Sequence, residues 1–131
     1  MLAIIQKELS YKVMGILFSV QNQLGNRYQE KYYQRAIEEA LKEQKIQFKK
    51  ELAVDLFFHD KKIGKYFLDF LVEDAIIVEV KVVPSLRPKD FSQVMAYLRA
   101  HNIELGILAN FRTDKLTYRR ILNSQYIRKN S

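Results

Sequence analysis

Gly64-Lys65-Tyr66-Phe67-Leu68-Asp69-Phe70-Leu71-Val72-Glu73-Asp74-Ala75-Ile76-Ile77-Val78-Glu79-Val80-Lys81 is the stretch that decides the fold of this chain. Tyr66 to Val72 and Ala75 to Val83 are rich in aromatic and β-branched residues and meet at a polar break, Glu73-Asp74. They read as a β-hairpin. A turn centred on Asp74 puts Asp69 directly opposite Glu79, with Cβ atoms roughly 5 Å apart on one sheet face. Lys81 points the same way, because strand side chains alternate. Like charges facing each other across a sheet are destabilising, and two carboxylates sharing a site resist joint ionisation. Such a pair needs compensation, which a divalent cation and a neighbouring ammonium would supply.

Two plainer readings stand beside this one. A two-residue turn at Asp74-Ala75 would slide the register and set Asp69 against Val80. Alternatively, all three charges would lie on a solvated face. Against both, Phe67, Leu71, Ile77 and Val83 share the face of Asp69, Glu79 and Lys81. The other face (Tyr66, Leu68, Phe70, Val72; Ile76, Val78, Val80, Val82) is wholly apolar. Both faces are therefore expected to be covered.

The chain has 131 residues, 48% of them hydrophobic and 12% aromatic, which predicts a single globular domain with a real core. It has no cysteine, so disulfides and thiolate metal sites are excluded, in keeping with a cytoplasmic location. No apolar run reaches the length of a membrane span, and Gln6-Lys7-Glu8 argues against a signal peptide. The net charge of +7 points to an anionic partner and says nothing of the fold.

Other elements arrange themselves around the hairpin. Leu2, Ile5, Leu9, Val13, Leu17, Val20 and Leu24 mark a first amphipathic helix. Gly25-Asn26 ends it and starts a second, which carries Tyr33, Ala36, Ile37, Ala40 and Leu41 and stops near Lys45. A strand follows over Gln47 to Phe58, then the turn His59-Asp60-Lys61-Lys62. Pro84 and Pro88 bracket a loop, after which Asp90 or Ser92 opens a helix through Ala100. Ile103 to Phe111 reads as a buried strand, parallel to the Glu79 strand because a helical crossover joins them. Tyr118 to Leu122 would add an edge strand, and the tail 123–131 is expected to fray. The whole is α/β: helices flanking a mixed sheet.

With these elements in place, Asp69, nine residues, then Glu79-Val80-Lys81 resembles the signature of the PD-(D/E)XK nuclease superfamily. Gly25-x-x-x-x-Glu30-x-x-Tyr33 resembles the name motif of its GxxExxY family. Gln93-x-x-x-Tyr97-Leu98 and Gly106-Ile107-Leu108-Ala109-Asn110-Phe111 resemble later segments of that family, in the same order, from about Val13 to Leu122. Arg27 stands where a second glycine is usual, and Arg112 where glycine is frequent. The resemblance implies a restriction-endonuclease-like core (αβββαβ). It further implies a nuclease site in which Asp69, Glu79 and the Val80 carbonyl bind Mg²⁺, or Mn²⁺ in its place. Lys81 would orient the attacking water and offset developing charge. Glu30 would hold a water or a second ion, and Gln93 would hydrogen-bond near the water or phosphate.

Other residues carry less. Glu30 also suits a helix N-terminus on electrostatic grounds alone. Tyr97 is expected to pack in the core, Glu51 to be a partner of the site or a surface charge, and His59 and His101 to have no ligand role. No Gly-rich phosphate loop or nucleophile elbow is present. The expected function is metal-dependent hydrolysis of DNA or RNA phosphodiesters, with Arg87 and Lys89 flanking the cleft as nucleic-acid contacts. The rival is a catalytically idle module binding nucleic acid or protein on the same fold. A junction-resolving homodimer also fits the size and charge.

Overall fold

The apolar spacing of the N-terminal segment folds into one long helix, α1 (Leu2–Leu24), whose buried side is Val13, Met14, Ile16, Leu17 and Val20. The computed structural model describes residues 2–128, with side chains from residue 6. Leu2 and Ile5 of the expected stripe, and residues 129–131 of the tail, therefore lie outside what is described. After α1 come α2 (Glu30–Glu43), β1 (Phe48–Phe58), β2 (Lys61–Val72), β3 (Ile76–Lys81), α3 (Pro88–His101), β4 (Leu105–Asn110) and β5 (Thr117–Leu122). The strands form one sheet in the order β1-β2-β3-β4-β5. All neighbours are antiparallel except β3 and β4, which run parallel across the α3 crossover as expected.

Both sheet faces are covered. On one, α1 and α2 bury Phe70, Val72, Ile76, Val78, Val80 and Ile107. On the other, α3 buries Leu68, Leu71, Ile77, Leu108 and Ile121. Every residue of β4 is buried, the mark of a central strand. Gly106 is needed there for closeness rather than flexibility: a Cβ at this position would sit 2.6 Å from Val94 Cγ1 of α3.

The expected alternation along β2 breaks at Asp69. Regular alternation puts Tyr66 and Leu68 beside Phe70 and Val72, but they pack with Leu71 and Ile77 beneath α3. β1 carries the matching fault. Between the pairs Lys50↔Phe70 and Leu52↔Leu68 the ladder skips Glu51, whose φ is 57°. Left-handed backbone at a non-glycine costs about 1–3 kcal/mol, so the surrounding sheet holds it in place. Distal to this break β2 pairs with β1 alone, and the two strands leave the sheet as a ribbon.

Several boundaries shift for local reasons. Asn26, expected as an N-cap, reaches Asp114 instead (3.2 Å), and α2 begins only at Glu30. β2 begins at Lys61, before Gly64, because His59 and Asp60 (φ 47° and 64°) make the whole two-residue turn. α3 starts earlier than Asp90, with Pro88 in its first turn, where the missing N–H costs nothing. Residues 123–128, expected to fray, make hydrogen bonds to the region around α3. The buried Asn123 amide donates to the Leu98 and Ile103 carbonyls (3.2 and 3.1 Å), and Asn102 brackets the Ile127 backbone.

Gly106→Ala should destabilise the fold by about 1–3 kcal/mol, the usual cost of overpacking. Val94→Ala in the same chain should recover part of that loss. Denaturant titrations of the single and double variants measure both.

Candidate metal and catalytic site

Glu30 is positioned by the two residues that share its motif. Gly25 terminates α1 at φ 75°, and its carbonyl accepts the Tyr33 hydroxyl at 2.6 Å. Tyr33 is fully buried and stacks on Phe111, ring centroids 4.6 Å apart. That closes the loop between the helices and holds Glu30 at the first position of α2. Gln34, one turn on, then donates to Glu30 Oε2 (3.2 Å) and Asp69 Oδ1 (2.8 Å), tying α2 to β2.

The hairpin register is the one the sequence favours. Phe70↔Val78, Leu71↔Ile77 and Val72↔Ile76 are paired, so the next residues outward are Asp69 and Glu79. There side chains replace the ladder. The Asp69 N–H donates to Glu79 Oε1 (2.9 Å) and the Val80 N–H to Asp69 Oδ2 (2.7 Å). Lys81 Nζ lies 3.4 Å from Glu79 Oε2 and 3.8 Å from Asp90 Oδ1. The end of β3 is latched to β4: the Phe111 N–H donates to the Lys81 carbonyl, and Asn110, itself buried, bonds both the N–H and C=O of Val83.

Burial pushes the Glu79 carboxyl up from an ordinary 4.5 to about 8, and the Asp69 charge beside it adds to the effect. Burial also raises Asp69, against the pull of its hydrogen bonds and of Lys81. Glu30 is raised by the same two causes, burial first and Asp69 second. Near neutral pH these causes favour the protonated form of Glu79. Three acids with raised affinity for protons around one lysine form a site built for positive charge.

The family model of the PD-(D/E)XK nuclease superfamily matches residues 7–121. The chain belongs to this superfamily. Its mixed sheet flanked by helices is the restriction-endonuclease-like fold. Among solved structures, the one titled "Crystal structure of SSO0001" matches with a TM-score of 0.53 and 20% identity. The match covers 70% of this chain but only 48% of that one, so the chain spans about half the length of that protein, and the likeness is one of fold. No curated protein matches the sequence. Nucleases of this superfamily typically depend on a divalent metal.

The superfamily's metal is tested by the donors themselves. Among the described residues no cluster of three or more acidic or histidine groups is assembled for an ion. Asp69 and Glu79 nonetheless present hard oxygens, each with spare lone pairs after its hydrogen bonds. Mg²⁺ needs no more, since it binds through one or two carboxylates and keeps its waters and substrate oxygens. The donor set fits.

The structure brings Asp69, Glu79, Lys81 and Glu30 together. Gln93 is only half placed: its backbone carbonyl accepts the Tyr66 hydroxyl (3.2 Å), while its side chain makes no hydrogen bond to the described residues. Arg87 and Lys89 are exposed at the start of α3. Glu51 is an exposed residue on the wall of a cavity shared with Asp69. Tyr97 is buried and stacks on His101, and His59 lies against Phe58, so neither histidine meets the site. Two working residues lie outside the expected set. Gln34 is readable as the i+4 neighbour of Glu30, one face of one helix. Asp90, 1% exposed, has one oxygen bonded to the Arg87 N–H and the other without a hydrogen-bond donor, turned toward Lys81 and Arg87. Its capping position disguises it.

Folded Glu79 holds a proton that unfolded Glu79 would release above about pH 4.5, so metal-free stability falls as pH rises toward about 8. The melting temperature in chelator should drop across that window in the native chain and much less in Glu79→Gln. Mg²⁺ at about a hundredfold over Kd should add about 2.7 kcal/mol above the window. Thermal melts across pH, with and without metal, measure each.

Proposed function

We propose that the protein is a divalent-metal-dependent nuclease of the GxxExxY type, hydrolysing phosphodiester bonds of DNA or RNA at the Asp69–Glu79–Lys81 centre. The observation that carries this is the carboxylate pair, Glu79 buried and Asp69 half-buried, with Lys81 Nζ 3.4 Å from Glu79. Asp69 and Glu79 would hold Mg²⁺, or Mn²⁺, with the Val80 carbonyl as a further oxygen. Such an ion would supply Lewis acidity and a more acidic water. Lys81 aligns the attacking water and balances negative charge gathering on the phosphate. Asp90 anchors the Lys81 ammonium from behind, at 3.8 Å. Gln34 sets the Asp69 and Glu30 carboxylates in fixed orientations, so Glu30 is placed to accept a proton or a water hydrogen bond at the rim. Arg87 and Lys89 meet the phosphate backbone beside the cleft. Among the described residues no helix is long and apolar enough to cross a membrane.

One observation favours a second reading. Burial and the Asp69 charge both favour protonated Glu79, which relieves the repulsion with no ion present, so an idle nucleic-acid-binding module would keep the pair at little cost.

Glu79→Gln and Lys81→Ala should each slow cleavage of labelled DNA and RNA in Mg²⁺ by at least about a hundredfold. Binding measured in Ca²⁺ should change little, because affinity rests on dispersed phosphate contacts. Replacing Arg87 and Lys89 by alanine should weaken that binding and lower its salt slope by about one unit for each phosphate no longer neutralised. Salt-sensitive binding without cleavage in either Mg²⁺ or Mn²⁺ would establish the idle module. The absence of both would point to a protein partner.

A further inference from the structure

Two exposed rings lie two residues along the chain from a carboxylate of the site, each with a cation over its face. Tyr32 follows Glu30 on α2 and is 42% exposed. Lys31 Nζ and the Arg35 guanidinium lie 5.2 and 5.7 Å from its centroid. Those same two cations line a cavity of about 380 Å³ whose wall includes Asp69. Phe67 precedes Asp69 on β2 and is 53% exposed, with Lys65 Nζ 5.6 Å from its centroid. Among the described residues none of these three cations pairs with a carboxylate.

Phe67 stands at the root of the β1–β2 ribbon. β2 pairs with β3 only from Phe70 inward, whereas β3 ends at Lys81, so the ribbon runs on past the catalytic end of the sheet. From Asp69 to Lys61 it reaches roughly 26 Å, at about 3.3 Å per residue. Alternation puts Lys65 and Phe67 on one face of it, as far as the shift in pairing between Leu56 and Phe57; Ile63 and Lys61 lie beyond that shift, toward the tip. Any polymer seated at Asp69 meets that face.

A ring beside a cation suits a nucleotide whose base is free: the base stacks on the ring and its phosphate takes the charge. Base pairs in an intact duplex are stacked on their neighbours and offer no such face. A second copy of this chain fits less well, since the ribbon's unpaired Lys61 and Lys65 would face their own duplicates within a chain of net charge +7. Taking the nuclease reading as its basis, we infer that the site accepts unpaired nucleotides, a single strand or the open strand of a junction. That strand crosses from Tyr32 to Phe67 with a base stacked on each ring.

The test uses the whole protein in Ca²⁺, with a fluorescent single strand, the same sequence as a duplex, and 2-aminopurine placed at successive positions of the single strand. The native chain should bind the single strand at least about tenfold tighter than the duplex and quench the 2-aminopurine. Tyr32→Leu and Phe67→Leu, both at exposed positions, should each lower single-strand affinity by about fivefold or more, release the quench, and leave duplex binding unchanged. Equal affinity for both forms, or leucine variants that bind and quench as the native chain does, would overturn the inference. So would a dimer in sedimentation that Phe67→Leu dissolves while nucleic-acid binding is intact. The two readings fail separately. Stacking without cleavage in Mg²⁺ or Mn²⁺ keeps this inference and removes the nuclease. Cleavage of duplex that the leucine variants perform normally keeps the nuclease and removes the stacking.

Discussion

The contact between Asp69 and Glu79 is the constraint around which this structure is arranged. Each carboxylate accepts a backbone N–H from the other's strand, so the pair is part of the sheet's hydrogen bonding where the ladder leaves off. A buried and a half-buried acid held together carry opposing demands: desolvation and mutual repulsion push protons on, while the N–H donors, Gln34 and Lys81 pull the charged forms back. The surrounding elements answer those demands. α2 brings Gln34 and Glu30, β3 brings Lys81, and α3 brings Asp90 to hold the lysine. An apolar pair of residues in the same places would suit stability better, because buried polar groups are tolerated only when fully partnered. Acids with raised proton affinity gathered round one lysine are the kind of cluster by which functional sites are recognised.

Much of this was legible because the relevant signals are local. The Glu73-Asp74 break fixed the turn, and alternation then fixed which residues face each other; Glu73 and Asp74 adopt φ of 52° and 54°, as a tight turn of polar residues requires. The apolar stripe of α1 and the uninterrupted run of β4 were equally plain. What escaped was set by contacts between distant parts of the chain. Asn26 looks like a helix cap, yet its partner is 88 positions away. Asp90 looks like a helix opener and is one, but it also stands behind Lys81, which only the folded crossover reveals.

The break in parity at Asp69 is the clearest case. No residue in β2 announces it, since Tyr66 to Val72 alternates regularly and predicts two clean faces. It depends on Glu51 across the ladder adopting a backbone that its side chain does not favour. Strain of this kind is imposed by tertiary packing and has no signature in composition. The motif Gly25, Glu30, Tyr33 is the opposite case. Gly25 and Tyr33 are joined by one hydrogen bond, and the spacing follows from the loop that the Tyr33 hydroxyl closes, which sets Glu30 at the head of α2.

The same break divides the long hairpin into two parts that answer to different rules. Inward of Asp69, register is held by pairing with β3 and by the core on both faces. Outward, the backbone of β2 pairs with β1 alone; Leu68 and Tyr66 still pack beneath α3, and past them a lone two-stranded ribbon is marginal in water. The outer part is thus free to vary in length without disturbing the inner part. Adding or removing one facing pair of residues would move the His59-Asp60 tip by roughly 3.3 Å and leave both carboxylates where they are. The fold therefore carries its reach and its chemistry on one strand as separately adjustable quantities.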